Sequence, residues 1–157
     1  MRPILTVLPA LALVAAGCGA AKSATTTPAA QDAAAPASTA TVATRHTKLG
    51  TVLVNGEGRT LYLFEKDKGA ASTCDGDCAN AWPPVIASKA AAGGAAKDAR
   101  LGTFKRADGM TAIDYAGHPL YTYAGDTKPG DVNGQDLDQF GAKWYVLAPD
   151  GRKVDDD

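Results

Sequence analysis

The chain has 157 residues, and its 16 lysines and arginines nearly balance its 17 aspartates and glutamates. A near-neutral chain without a basic stripe cannot neutralise a phosphate backbone, which excludes nucleic acid as a partner. All ten aromatic residues lie between Tyr62 and Tyr145, so the sequence predicts one folded domain over about residues 48 to 154.

The N-terminus has the pattern of an export signal. A charged start, Met1-Arg2, precedes an apolar run from Ile4 to Ala16. The run is too short to span a bilayer and is typical of a secretory signal peptide. We therefore predict that residues 1–17 are a signal peptide.

The end of this run resembles the lipobox of bacterial lipoproteins, in which small residues precede an acylated cysteine. Here Ala15-Ala16-Gly17 precede Cys18, with Ala15 at the position where Leu is most common. The resemblance implies that Cys18 carries palmitate-like acyl chains and fixes the chain to the extracytoplasmic face of the cell membrane. The alternative is secretion without an anchor, which would leave one unpaired thiol among three cysteines.

Residues 18–47 are rich in Ala, Thr, Ser and Pro and contain no aromatic residue. Such a segment cannot bury enough apolar surface to offset the entropy cost of ordering. We predict a disordered tether that ends at residue 47.

The remaining chain predicts an all-β, antiparallel domain with at most short helical turns. Thr51–Val54 and Thr60–Phe64 flank the turn Asn55–Gly58 and predict a hairpin. Further runs of β-forming residues, separated by two-residue turns, predict a three-stranded meander and a closing hairpin. The meander strands are 103–107, 110–115 and 118–123, and the closing strands are 143–148 and 152–154.

Two connections carry little strand pattern. Ile86–Arg100 is Ala-rich and contains Gly93-Gly94, so we predict a loop with one helical turn. Asp126–Gly141 is rich in Gly, Asp, Asn and Pro, and we predict a long loop.

A ten-residue segment occurs twice. Gly58–Asp67 returns 59 positions later as Gly117–Asp126, and both copies contain Tyr, any residue, an aromatic residue, two further residues and Asp. The motif residues are Tyr62, Phe64 and Asp67 in the first copy and Tyr121, Tyr123 and Asp126 in the second. With Leu49-Gly50-Thr51 echoed by Leu101-Gly102-Thr103, and Trp82 by Trp144, the pattern predicts two pseudo-repeats, about 49–85 and 101–151.

The motif has two interpretations. Because strand residues alternate in direction, Tyr62 and Phe64 share one face, as do Tyr121 and Tyr123. The four rings form either a core between the repeats or the lining of a binding groove. Asp67 and Asp126 are expected to fix turns by accepting the N–H two residues on, and the alternative is an acid/base pair of the glycosidase kind.

Cys74 and Cys78 predict a structural disulfide. The chain is exported, and Gly76 supplies the bend that a Cys-x-x-x-Cys loop needs. The spacing matches neither redox nor haem-attachment motifs. Asp131–Asp136 departs from a calcium loop, and His46 and His118 lie near no nucleophile pattern, so the sequence predicts no metal, cofactor or catalytic residue.

With its tandem Tyr-x-aromatic-x-x-Asp motif, Trp82-Pro83-Pro84 and Gly117-His118-Pro119, the chain resembles the bacterial secreted-repeat lipoproteins over about residues 49–151. The resemblance implies location and architecture, because that family has no established activity. We expect a non-enzymatic envelope module that binds a cell-wall component or an envelope protein. The alternatives are an envelope carrier of electrons, metal or haem, and an enzyme that cleaves wall glycans through Asp67 and Asp126.

Overall fold

The computed structural model describes residues 38–155. The predicted signal peptide, Cys18 and residues 18–37 of the predicted tether lie outside this range. The described part contains nine strands, a five-residue helix α1 and a 3-10 turn. The strands are β1 Thr39–Thr47, β2 Gly50–Asn55, β3 Tyr62–Phe64, β4 Lys89–Ala92, β5 Leu101–Lys105, β6 Thr111–Tyr115, β7 His118–Pro119, β8 Leu137–Gln139 and β9 Ala142–Val146. Helix α1 spans Asp77–Ala81, and the 3-10 turn spans Asp98–Arg100.

The strands form three small sheets, in the orders β2-β1-β4, β3-β9-β8 and β5-β6-β7. All pairs are antiparallel except β1 with β4, which is parallel. The all-β prediction is therefore confirmed. No helix within residues 38–155 is long and apolar enough to cross a membrane.

The predicted tether is wrong for residues 39–47, which form β1. This strand pairs with β2 on one side and with β4 on the other, and Val42 is fully buried between them. Its composition alone suggests disorder, since most of its side chains are Thr and Ala. Pairing with the neighbouring β2 and with the distant β4 orders the segment, and the long-range pairing with β4 is invisible in composition.

Several predicted turns are confirmed and both predicted loops contain a strand. β5, β6 and β7 form the meander, and Ala148 N donates to Arg152 O at 2.9 Å in the closing hairpin. The first hairpin is short, with a single bridge between Val54 and Thr60. The two connections contain β4 and β8, short strands that exist because β1 and β9 offer them unpaired edges.

The two motif strands lie at the centre of the domain and are paired to each other. Tyr62 N donates to Tyr121 O at 2.9 Å, and Tyr121 N donates to Tyr62 O at 3.0 Å. On their outer sides, Tyr62 pairs with Val146 and Tyr121 with Pro84. Each motif strand is thus flanked on both sides by backbone of the other repeat.

Alternate residues of the central strands enter two separate hydrophobic clusters. Leu53, Leu61, Leu63 and Leu147 belong to the first cluster. Side chains on the opposite face, including Tyr62, Phe64, Tyr121 and both tryptophans, belong to the second. The motif strands are therefore buried on both faces, as expected for strands inside a layered domain.

Candidate functional site

The first tyrosine of each motif is hydrogen-bonded to the aspartate of the motif in the other repeat. The Tyr62 hydroxyl donates to Asp126 Oδ2 at 2.6 Å, and the Tyr121 hydroxyl donates to Asp67 Oδ2 at 2.6 Å. Both distances are those of a charge-assisted O–H···O⁻ bond. The tyrosine–aspartate hydrogen bonds of the motif therefore form between the two repeats and not within either one.

Each aspartate also closes the loop that follows its own motif. Asp67 Oδ1 accepts Thr73 N at 2.7 Å, and Asp126 Oδ1 accepts Asn133 N at 2.9 Å. The expectation that these carboxylates accept the N–H two residues on is therefore wrong. They accept N–H groups six and seven residues on, because each carboxylate lies inside a wider loop.

Both hydroxyl groups are held in their protonated form. Burial, followed by the hydrogen bond to the partner carboxylate, raises the pKa of Tyr62 and of Tyr121 far above the usual value near 10. The two tyrosine–aspartate pairs differ in how deeply the carboxylate is buried. Asp126 is 1% exposed, whereas Asp67 is only half-buried.

The second aromatic residue of each motif caps a column of four stacked rings. Phe64 stacks on Trp144 with ring centres 4.1 Å apart, Trp144 on Trp82 at 3.9 Å, and Trp82 on Tyr123 at 4.2 Å. The rings alternate between the repeats along this column. Tyr62 meets Trp82 edge-on at 5.3 Å, and Tyr121 meets Trp144 edge-on at 5.2 Å.

The motif rings are therefore packed as a core between the two repeats, which is the first of the two interpretations of the motif. Tyr62, Phe64 and Tyr121 are buried, and Tyr123 at the end of the column is half-buried. Edge-on and offset-stacked contacts of this kind add to the free energy from area burial alone.

The indole N–H groups of both tryptophans are bonded to one residue that sequence reasoning missed. Trp82 Nε1 donates to Gln139 Oε1 at 3.0 Å, and Trp144 Nε1 donates to Gln139 O at 3.1 Å. Gln139 lies in β8, within the segment that we predicted as a loop. No motif in the sequence marks it.

The disulfide and a buried arginine hold the loop that contacts the Tyr121 hydroxyl. Cys74 and Cys78 are bonded, with Cα atoms 5.2 Å apart, which confirms the predicted pair. Arg106 donates to Cys74 O at 3.0 Å and to Ser72 Oγ at 2.8 Å. Ser72 Oγ in turn lies 2.7 Å from the Tyr121 hydroxyl oxygen. Arg106 and Ser72 gave no signal in the sequence.

An open cleft of about 770 Å³ adjoins this network. Asp67 lies on its wall, Phe64 contributes to its lining, and His118 is also half-buried there. Charged side chains of both signs make up most of the rest, namely Glu65, Lys68, Arg152, Lys153 and Asp155. Lys153 bridges Glu65 at 3.0 Å and Asp155 at 3.1 Å, so one wall holds an ordered ion-pair network.

The other candidate residues are dispersed. His46 lies in β1 and is exposed, far in sequence and topology from His118 in β7. Asp131 accepts Thr127 N and Lys128 N and pairs with Lys128 Nζ, which makes it a turn residue. Within residues 38–155, no group of three or more His, Cys, Asp or Glu could hold a metal ion.

These features define a class of all-β protein in which two copies of one aromatic motif complete each other. The chain belongs to the family described as "Secreted repeat of unknown function", whose profile matches residues 43–86 and 102–148. The two matches begin at the same 59-residue offset that separates Tyr62 from Tyr121. Membership in this secreted family makes the chain an extracytoplasmic protein. No curated protein and no solved structure matches it.

The family match also corrects the register of the repeats. The two matched ranges begin at residue 43, in β1, and at Gly102, in β5, and β1 pairs with β2 as β5 pairs with β6. β1 is therefore the first strand of the first repeat. Leu49-Gly50-Thr51 runs from the turn between β1 and β2 into the second strand of its repeat, whereas Leu101-Gly102-Thr103 opens β5, the first strand of its repeat. The two tripeptides are therefore not equivalent, although they look alike.

Proposed function

We propose that this protein is a non-enzymatic module of the cell envelope, anchored through acylated Cys18, that binds an envelope partner through the cleft beside Asp67. One observation carries the proposal. The polar groups of the duplicated motif are bonded to each other, with Tyr62 on Asp126 and Tyr121 on Asp67. Because these carboxylates already accept a hydroxyl and an N–H each, the motif is built as a scaffold.

The same contacts argue against the glycan-cleaving alternative. A glycosidase needs one carboxyl group that donates a proton to the leaving oxygen and a second that faces substrate or water. Asp126 is 1% exposed and bonded to Tyr62 and Asn133. It has no open side to offer to a sugar ring.

The anchor is tested by replacing the cysteine. Cys18→Ser should move the protein from the detergent phase to the aqueous phase in a detergent partition, and mass spectrometry should find acyl mass on the wild-type mature N-terminus. The matched control is Cys74→Ser with Cys78→Ser, which removes two other cysteines and should leave partition unchanged. A wild-type protein without acyl mass would contradict the anchor.

The cleft is the surface on which binding is tested. Its lining combines ordered charges of both signs with the apolar residues Leu63 and Phe64. A surface of this kind suits a partner that has both amino and carboxyl groups, such as a wall peptide or an envelope protein.

Charge reversal within the cleft provides the test. Lys68→Glu with Arg152→Glu should reduce co-sedimentation with purified cell walls, or crosslinking to an envelope protein in cells, by about tenfold or more, which is about 1.4 kcal/mol of binding free energy. The control is Lys48→Glu with Lys105→Glu, which makes the same charge change at exposed positions outside the cleft lining. Equal losses in both variants would contradict a role for the cleft.

A second candidate function, an envelope carrier of electrons, is favoured by the aromatic column. Trp82 and Trp144 are in face-to-face contact at 3.9 Å, and each is in contact with a tyrosine that is bonded to a carboxylate. Stacked indoles share the charge that is left when one electron is removed. The test is whether a photogenerated one-electron oxidant forms a tryptophan radical more readily in the wild type than in Trp82→Phe, in which Trp144 has lost the indole on which it stacks. Equal yields in both proteins would contradict the carrier function.

A further inference from the structure

We infer that Tyr121, with Asp67 as its proton acceptor, is the redox-active site of the aromatic column and the residue on which a one-electron oxidation comes to rest. This inference rests on the second candidate function. The oxidant belongs to the class of one-electron oxidants, such as an oxygen-centred radical or an oxidised metal complex. It meets the column at its half-buried end, Tyr123.

The aromatic contacts provide the electron path. Tyr123 stacks on Trp82 at 4.2 Å, Trp82 on Trp144 at 3.9 Å, and the Tyr121 ring lies edge-on to Trp144 at 5.2 Å. Each neighbouring pair of rings is in van der Waals contact, and both tryptophans are fully buried. Buried indoles exclude water that would otherwise react with an indole radical.

The hydrogen bond to Asp67 provides the proton path. A phenol that loses an electron becomes a strong acid, so oxidation is easiest when a base takes the proton in the same step. The Tyr121 hydroxyl donates to Asp67 Oδ2 at 2.6 Å, a distance at which a proton passes between oxygens with little movement of either atom. The raised pKa of Tyr121, due to burial first and Asp67 second, keeps the proton in place until then.

The step balances without any further reactant. The oxidant takes one electron from the Trp82–Trp144 pair and leaves an indole cation radical. Tyr121 then returns one electron to the indole, and its O–H bond breaks as the proton moves to Asp67. The products are a neutral tyrosyl radical, a neutral carboxylic acid, a restored tryptophan and the reduced oxidant.

Two features favour Tyr121 over Tyr62 as the final site. Asp67 lies on the wall of the cleft, where its proton can pass to water, whereas Asp126 is 1% exposed. Ser72 Oγ lies 2.7 Å from the Tyr121 oxygen, and its hydroxyl, which donates to Cys74 O over a long 3.4 Å, can turn to donate to the tyrosyl oxygen. Tyr62 receives only a longer bond from Gly134 N, at 3.2 Å.

Tyr115 supplies a matched control for the assignment. It is fully buried like Tyr121, but its hydroxyl donates to the Pro149 carbonyl at 2.8 Å, and it lies in the other hydrophobic cluster. A carbonyl oxygen is too weak a base to take a phenolic proton.

The experiment is laser flash photolysis of the intact mature protein in detergent micelles, with a ruthenium tris-bipyridine sensitiser and persulfate as electron acceptor. Optical and electron paramagnetic resonance spectra distinguish tryptophan from tyrosine radicals. We expect the tryptophan signal to decay as a tyrosyl signal rises, more slowly in deuterated water. Tyr121→Phe should remove most of the tyrosyl signal and Tyr115→Phe should not, while Asp67→Asn should slow its rise by about tenfold or more because general-base catalysis is lost.

The outcomes distinguish the assignment of the radical to Tyr121 from the carrier function on which it rests. A tyrosyl signal that persists in Tyr121→Phe overturns the assignment and leaves the carrier function in place. The absence of any tryptophan radical in the wild type overturns both. The solvent isotope effect is measured on the wild type and needs no variant. A tyrosyl signal that rises equally fast in ordinary and in deuterated water therefore overturns the role of Asp67, even if a variant fails to fold.

Discussion

The Tyr62 hydroxyl, in the first repeat, donates to Asp126, in the second, across 64 positions of the chain at 2.6 Å. Tyr121 makes the reciprocal bond to Asp67. A tyrosine and an aspartate that recur five residues apart invite the interpretation that they bond within one copy. The structure instead places each tyrosine beside the aspartate of the other copy. The motif therefore encodes the association of two repeats rather than the fold of one.

The two aspartates should differ in their effect on stability. Asp126→Ala leaves the Tyr62 hydroxyl and Asn133 N–H without a partner at a site that is 1% exposed, and should lower the free energy of unfolding by about 3 kcal/mol. Asp67→Ala should lower it by only about 1 kcal/mol, because water can reach the half-buried site. Chemical denaturation measures both, and equal losses would contradict the difference in burial.

Strand β1 should contribute to stability although its sequence resembles a tether. Val42 is fully buried, so Val42→Ala should lower the free energy of unfolding by about 2 kcal/mol. Thr41→Ala, one residue earlier at an exposed position, should change it by less than about 0.5 kcal/mol. If neither variant altered the denaturation midpoint, residues 39–47 would be a tether after all.

Gly134 is packed against the aromatic column. A Cβ atom there would lie 2.7 Å from the Trp82 ring and 2.8 Å from the Tyr62 ring. Gly134→Ala should therefore lower the free energy of unfolding by about 2 kcal/mol or more and change the near-ultraviolet circular dichroism of the tryptophans. Gly93→Ala is the control, since its Cβ would make an ordinary 3.4 Å contact with Ala43. A Gly134 variant as stable as this control would show that the loop can move away.

Alkaline pH should destabilise the domain. Folding raises the pKa of Tyr62 and Tyr121, so above pH 10 the unfolded state loses phenolic protons that the folded state keeps. The stabilisation is complete below about pH 10 and is lost as the pH rises further. In an absorbance titration, these two of the five tyrosines should ionise only on unfolding. Tyr121→Phe should weaken the pH dependence of stability, and an unchanged slope would contradict the shift.

The parts of the fold that were predictable are those with local signals. Two-residue turns such as Asp108-Gly109 and Ala116-Gly117 locate the meander because few residues adopt the required backbone angles. Gly76, with φ of 50°, supplies the bend for the disulfide. Burial of the motif rings was one of the two interpretations that the sequence offered. Side chains alternate between the two faces of a strand, so both rings of a motif lie on one face.

What could not be predicted has weak strand patterns of its own. β1 and β4 are ordered by pairing with each other far along the chain, and β8 is ordered by its hairpin with β9. The bonds of Gln139 to both indoles and of Arg106 to Ser72 have no spacing rule. The bonding of each tyrosine to the aspartate of the other repeat could not be predicted for a different reason. Two identical motifs offer the same residues for pairing within a copy and between copies.

Double-mutant cycles measure that exchange most directly. Tyr62→Phe with Asp126→Asn should show a coupling free energy of about 1 kcal/mol or more, because the two side chains share a hydrogen bond. Tyr62→Phe with Asp67→Asn, the pair within one copy, should be additive to within about 0.5 kcal/mol. Strong coupling within the copy, together with additivity between Tyr62 and Asp126, would contradict the pairing of the two repeats described above.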